Sequence, residues 1–191
     1  MAEYEGYIPG EKTTLDVREA LILAGIAELE ERGLGGFSLR RVATACGVSC
    51  AAPYKHFKDK DAFFDAIVLY IDEKWRLLEG HILEVFSDEK ECFLELCIAS
   101  VRFWIANPHF RAVRMLSREG RERTSLGEAA EKMLHTLAVG ANASEQEEKL
   151  LLYTVRSLVL GATLMLEDGT LENVPATFRM LRTALKKEMH F

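Results

Sequence analysis

The segment Phe37–Lys60, FSLRRVATACGVSCAAPYKHFKDK, constrains the fold of this chain more than any other. Ser38 stands where a cap would open a short helix over Leu39 to about Ala45, since its hydroxyl can accept from the first free amides. Cys46-Gly47-Val48 is a tight turn with glycine at the bend. Ser49 is the candidate cap of a third, short helix ending near His56 or Phe57, and Asp59 of a fourth running to about Leu83. Upstream, Val17, Ala20, Leu21, Ala24, Ile26, Ala27 and Leu29 recur mainly at three and four, the period of an amphipathic helix. That helix should start after Thr13 or Thr14 and stop at Gly33, where positive φ is tolerated. Short helices joined by a tight turn make a helix-turn-helix module. Val42, Val48, Phe57 and Ile22 are its expected packing residues.

Charge marks the same stretch. Between Gly33 and Lys60, Arg40, Arg41, Lys55, Lys58 and Lys60 face only Asp59, a local balance of +4 in a chain of net charge -6, which leaves -10 elsewhere. A basic face on an acidic protein is the electrostatic footprint of a phosphate-binding surface. Solvated basic residues on a plain helical protein are the bland alternative.

The rest of the chain reads as helix throughout, and about nine helices are expected in an all-α fold. Asp88 with Glu91 should open a helix to about Ala106. Asn107-Pro108 places a cap before proline at the first helical position. Ser125 with Glu128 and Ser144 with Glu147 match the capping-box spacing. The Ser144 helix should end at Asp168-Gly169, and a last one should run from about Val174 to Met189. No apolar run approaches the roughly 18 residues that would cross a bilayer, and the acidic, polar start Met1–Glu11 is unlike a signal peptide. These features place the protein in the cytoplasm. Cys46, Cys50, Cys92 and Cys97 form no paired C-x2-C motif, so free thiols are expected and no metal or cofactor is implied. Cys46 and Cys50 are either small packing residues or a thiol switch.

The FSLRRVA opening, the Gly-Val-Ser turn, the Tyr-x-His-Phe end and the following Lys-Asp-Lys occur in the order found in the tetracycline-repressor (TetR) family, which residues 14 to 75 resemble. The resemblance implies an N-terminal DNA-binding helix-turn-helix domain (13–58) behind a flexible arm (1–12). It also implies a C-terminal helical domain for effector binding and dimerisation (59–191). The DNA-contact set it suggests is Thr14, Arg40, Arg41, Ser49, Cys50, Ala51, Ala52, Tyr54, Lys55, His56, Lys58 and Lys60. In family members the residues matching Tyr54 and His56 commonly contact phosphates, and the one matching Lys60 opens the fourth helix. Ser49 would face a phosphate at the recognition-helix N-terminus, and the alanines would lie where base edges are read. Pro53 falls at about the fourth position of that helix, where it removes an amide donor and loosens the first turn.

By the same resemblance an effector pocket is expected among Phe93, Phe103, Trp104, Phe110, Met115, Met133 and His135. A dimer face is expected from the last two long helices, through Tyr153, Arg156, Val159, Leu160, Thr163, Phe178, Leu181 and Leu185. The implied function is a ligand-responsive repressor that binds a palindromic operator in double-stranded DNA as a homodimer, with an unknown small-molecule effector. The alternative is a dimerising helical scaffold that has lost DNA binding, favoured by Pro53 and the acidic balance. An enzyme is disfavoured, because the five histidines are scattered and no nucleophile–base pairing or phosphate loop is present.

Overall fold

A computed structural model describes residues 16–107 and 128–189, and these residues are helical with no strand. Eight helices follow in order: α1 Val17–Gly36, α2 Leu39–Ala45, α3 Pro53–His56, α4 Lys60–Val85, α5 Glu89–Ala106, α6 Glu128–Gly140, α7 Glu145–Glu167 and α8 Pro175–Glu188. The helix expected behind Asn107-Pro108, the arm, and the Ser125 cap lie outside the described residues.

Local chemistry sets most helix boundaries. Ser38 accepts from the Arg41 amide, Asp59 from Ala62 at 2.8 Å, and Asp88 from Glu91 at 2.8 Å. Ser144 and Glu147 form the full capping box. Asp16 caps α1, and α1 breaks at Gly33, whose φ of 64° is left-handed. Gly47 takes a φ of 67° in the turn between α2 and α3.

The third helix departs from expectation. Residues 49–52 form a turn, with the Ala52 amide on the Ser49 carbonyl at 2.9 Å, and α3 begins at Pro53 with Ala52 as cap. Proline therefore sits at the first helical position, where its φ fits and its missing donor is not needed. No kinked or weakened helix follows. What the chain presents between Ser49 and Phe57 is a turn and a single helical turn, and Ser49 caps no helix.

Two apolar clusters organise the packing. The first joins α1, α2 and Phe57 to α4 and one face of α5. Its centre is aromatic: Phe37, Phe57, Phe63 and Phe64 meet at ring-centroid distances of 4.7–5.7 Å. α1 comes close to α4 at Gly25, where an added Cβ would lie 2.4 Å from the Phe63 ring. The second cluster joins the other face of α5 to α6, α7 and α8 and is mostly aliphatic. α4 and α5 thus tie the reading end to the bundle. By length and composition α7 is long and apolar enough to cross a membrane, with a mean hydropathy of 1.5 over 18 residues. Here it packs one face on α5 and α8 and carries Arg156 at its middle.

Candidate nucleic-acid interface and effector cavity

A group of exposed basic residues stands at the α2–α3 end. Arg40, Tyr54, Lys55, His56 and Lys58 are all exposed, and Lys55 and His56 fall in the last turn of α3. That turn is held from below by Phe57, which is buried and stands edge-on to Phe63 at 4.7 Å. Cys50 and Ala51 are exposed and Ala52 is half-buried, all on the turn that precedes α3. Thr14 lies outside the described residues.

Arg41 and Lys60 are differently placed. The Arg41 Nε donates to Glu28 Oε1 at 2.7 Å, and its Nη2 contacts both Glu28 and the Gly36 carbonyl. Glu28 is 9% exposed, and two cations neutralise this carboxylate inside α1: Arg41 at hydrogen-bond distance and Arg32 at 3.9 Å on its other oxygen. Lys60 lies over the Phe37 and Phe64 rings at 5.2 and 5.4 Å and donates to the Phe37 carbonyl. Arg18, which sequence reasoning did not single out, stacks on Phe57 at 5.5 Å. Glu28 was also passed over. It shares the buried face of α1 with Leu21 and Gly25, and a carboxylate at such spacing requires a cation from elsewhere. Cys46 is half-buried, donates to the Ala20 carbonyl, and has its thiol pushed up by burial, which works against a reactive thiolate there. Cys50 is exposed.

In the bundle, α5, α6 and α7 enclose a cavity of about 300 Å³. Of the residues expected at an effector pocket, Phe93 and Trp104 stand on its wall. Phe103 does not: it belongs to the first cluster, edge-on to Trp75 at 5.5 Å and to Trp104 at 6.1 Å. Met133 packs between the clusters, and His135 is exposed with Nδ1 2.7 Å from Glu148. Both lie off the wall. Phe110 and Met115 lie outside the described residues.

Four of the residues expected at a dimer face belong to the chain's own interior. Phe178, Leu181 and Leu185 are buried in the second cluster, and Thr163 is buried against α5 with its hydroxyl on the Val159 carbonyl. The reason is general: an amphipathic stripe reports which face a helix buries first, and α8 spends its stripe within the monomer. Arg156, Val159 and Leu160 line the cavity, with Leu160 half exposed at its rim. Of the expected set, Tyr153 and Leu160 are apolar residues left in solvent, and residues outside it join them. Leu150, Tyr153, Leu160 and Leu164 fall on α7 at steps of three, seven and four with Ser157 between, and Met180 lies on α8. Tyr153 is 70% exposed.

Residues 21–67 match the family model of bacterial regulatory proteins, tetR family. Three solved structures share the fold. A TetR family transcription regulator from Marinobacter aquaeolei is 17% identical with a TM-score of 0.68, covering 90% of this chain and 94% of its own. The TetR family transcriptional regulator PfmR from Thermus thermophilus is 19% identical with a TM-score of 0.65, covering 92% and 96%. A TetR variant from Acinetobacter baumannii in complex with minocycline is 17% identical with a TM-score of 0.54, covering 88% and 92%.

Proposed function

We propose that this chain, whose residues 21–67 match the tetR family of bacterial regulatory proteins and whose fold is shared by TetR family regulators, is a DNA-binding transcription regulator, a repressor that grips a palindromic operator as a dimer and releases it when an effector fills the α5–α7 cavity. The observation that carries this reading is the cationic end of α3. Lys55 and His56 project from one helical turn, with Tyr54 and Lys58 beside them, all exposed on a buried aromatic base. Fixed cations on a rigid support hold phosphates in register, while the turn Cys50–Ala52 faces the groove. Alanines and a thiol offer few base hydrogen bonds, so selectivity leans on thymine methyls and DNA shape.

The solvent-facing seam of α7, with Met180 of α8, supports the dimer. Leu150, Tyr153, Leu160 and Leu164 keep the spacing of a helix-packing seam, and a twin α7–α8 pair would cover it as a four-helix bundle. Two-fold symmetry would then set the two reading heads about 34–36 Å apart. The cavity has a packed route to α4: Trp104 on its wall touches Phe103, and Phe103 touches Trp75. An effector that favours one wall arrangement and DNA that favours the other must weaken each other by linkage.

Titration of palindromic DNA from the gene's own upstream region, at about 50 to 200 mM salt, tests the reading. Affinity should fall steeply with salt and exceed that for scrambled DNA. Lys55→Ala and Lys58→Ala should each lower the salt slope by about one without changing the melting temperature. Arg41→Ala should instead lower the melting temperature, because it leaves the nearly buried Glu28 with only the longer Arg32 contact. Binding indifferent to salt and sequence would refute the proposal.

A further inference from the structure

We propose that the molecule this cavity takes is a compact hydrophobic monocarboxylate, whose tail fills the α5–α7 cavity and whose head displaces Glu131 from the guanidinium of Arg156. The proposal rests on the effector reading of the cavity and names the chemistry of its ligand.

The interior of the cavity selects an apolar body. Its wall is built from side chains such as Phe93, Leu96, Trp104, Leu134, Val155 and Val159. The three polar groups at depth are already spent or neutral. Ser100 donates to the Cys97 carbonyl at 2.8 Å, and Thr163 to the Val159 carbonyl at 2.8 Å. Burial pushes the Cys97 thiol up to about 12, so it carries no charge at neutral pH. A volume of about 300 Å³, at about 30 Å³ per water-sized group, holds about ten non-hydrogen atoms.

Among the described residues, charge enters the lining only through Glu131 and Arg156. Arg156 is the single charged side chain of α7 between Leu150 and Leu166. Its Nε donates to Glu131 Oε1 at 3.0 Å, and its Nη2 converges on that same oxygen. The two donors form the edge that a carboxylate can take with both oxygens, one bond each. Glu131 uses one oxygen for both, so the edge is occupied but not matched.

Two features decide which partner yields. The pair is exposed, at 62% for Arg156 and 40% for Glu131, and such pairs hold weakly. The two helices differ in anchorage: α6 buries Leu134 and Ala138, whereas α7 buries five residues. Glu131 thus rides on the lightly held helix and can swing to water, which leaves the Arg156 fork at the cavity wall, on the more deeply buried helix, free for another carboxylate. A carboxylate arriving with its tail in the cavity meets a preset fork. An ammonium would have to displace Arg156, which is held on the firmer helix.

Calorimetric titration of the full chain with octanoate, octan-1-ol and octylamine tests this, since the three share a tail and differ at the head. Octanoate should bind at least about ten-fold more tightly than the other two, the scale of a charge-assisted bond. Arg156→Lys, which keeps the charge and loses the fork, should weaken octanoate several-fold, and Arg156→Met about ten-fold or more. Glu131→Gln should tighten it, because the internal competitor is gone. Should Arg156→Met fail to fold, the Lys and Gln variants still decide. Preference for octylamine, equal binding of acid and alcohol, no binding by any probe, or octanoate affinity untouched by Arg156→Lys would each overturn the proposal. If octanoate binds as expected yet leaves operator affinity unchanged, the ligand assignment stands and the effector reading falls. If no probe binds while operator binding stays salt-dependent and sequence-specific, the ligand assignment falls and the DNA reading stands.

Discussion

Beneath the reading head, four phenylalanines meet edge to face or tilted and leave α1 and α4 so close that Gly25 has no room for a methyl group. In the bundle of α5 to α8, the corresponding depth is mostly aliphatic and holds a cavity of about 300 Å³. The reading end must keep cations in register with a DNA backbone, so a filled aromatic base suits it. If the bundle is the proposed effector site, it has to admit a molecule and respond to it, and unfilled volume and a breakable ion pair suit that role. α5 belongs to both regions and α4 packs on it, so a change in the loosely filled half has a packed route to the tightly filled one.

The largest way to break this contrast is to empty the tight half. Phe63 is fully buried and touches both Phe37 and Phe57. Phe63→Ala should cost about 3–5 kcal/mol, the transfer and cavity cost of a buried aromatic. Thermal unfolding should show the loss, and operator binding should vanish with it because Phe57 loses its support under α3. A loss below about 1 kcal/mol would mean that the base under α3 is no more tightly built than the bundle.

Adding volume sharpens the same contrast. Gly25→Ala drives a methyl into the Phe63 ring, which Phe37 and Phe57 prevent from moving aside. The gain in helix propensity is about 1 kcal/mol, and the overpacking cost of about 1–3 kcal/mol outweighs it. Ser100→Leu adds more atoms but adds them to the cavity wall. It should change stability by less than about 1.5 kcal/mol and block ligand binding. Paired melting curves of the two variants check the ranking. Equal losses would erase the distinction between the halves.

Both halves were legible in the sequence to the extent that their determinants are local. Ser38, Asp59, Asp88 and Ser144 opened helices where expected, because a cap is chemistry between residues two or three apart. Pro53 was misjudged for the opposite reason. It fits either the inside of a helix start or its first position, and the conformation of residues 49–52 decided between them. The stripe Phe178, Leu181, Leu185 was expected at a dimer face and lies in the chain's own core, because period marks the face a helix buries and cannot say whether the partner is the same chain or another. The pairing of Glu131 with Arg156 spans 25 positions and carries no periodic signal. Glu28 was different: a carboxylate on a core-facing position announces a missing cation, and Arg41 supplies it from α2.

The smallest expected effect lies on the outer seam of the bundle. Glu91 at the start of α5 accepts from Lys186 at 2.7 Å and pairs with Arg182, which also donates to Glu95 at 2.9 Å. The hydrogen bond from Lys186, then that from Arg182, holds the Glu91 carboxyl below its ordinary 4.5. A depressed carboxyl contributes stability that is complete above about pH 4.5 and is lost as pH falls through its lowered folded value. Glu91 is 40% exposed, so solvent screens the seam and the contribution is at most about 1 kcal/mol. Glu91→Gln should therefore melt slightly below the wild type at pH 7, and the two should converge once pH has fallen through the lowered Glu91 value, or in about 1 M salt. Because the seam clamps α8 to α5 from outside, its loss should leave the aromatic base under α3 untouched, and operator affinity with it. A Glu91→Gln penalty as large as that of Gly25→Ala would show that the bundle, despite its cavity, is held as tightly as the half that reads DNA.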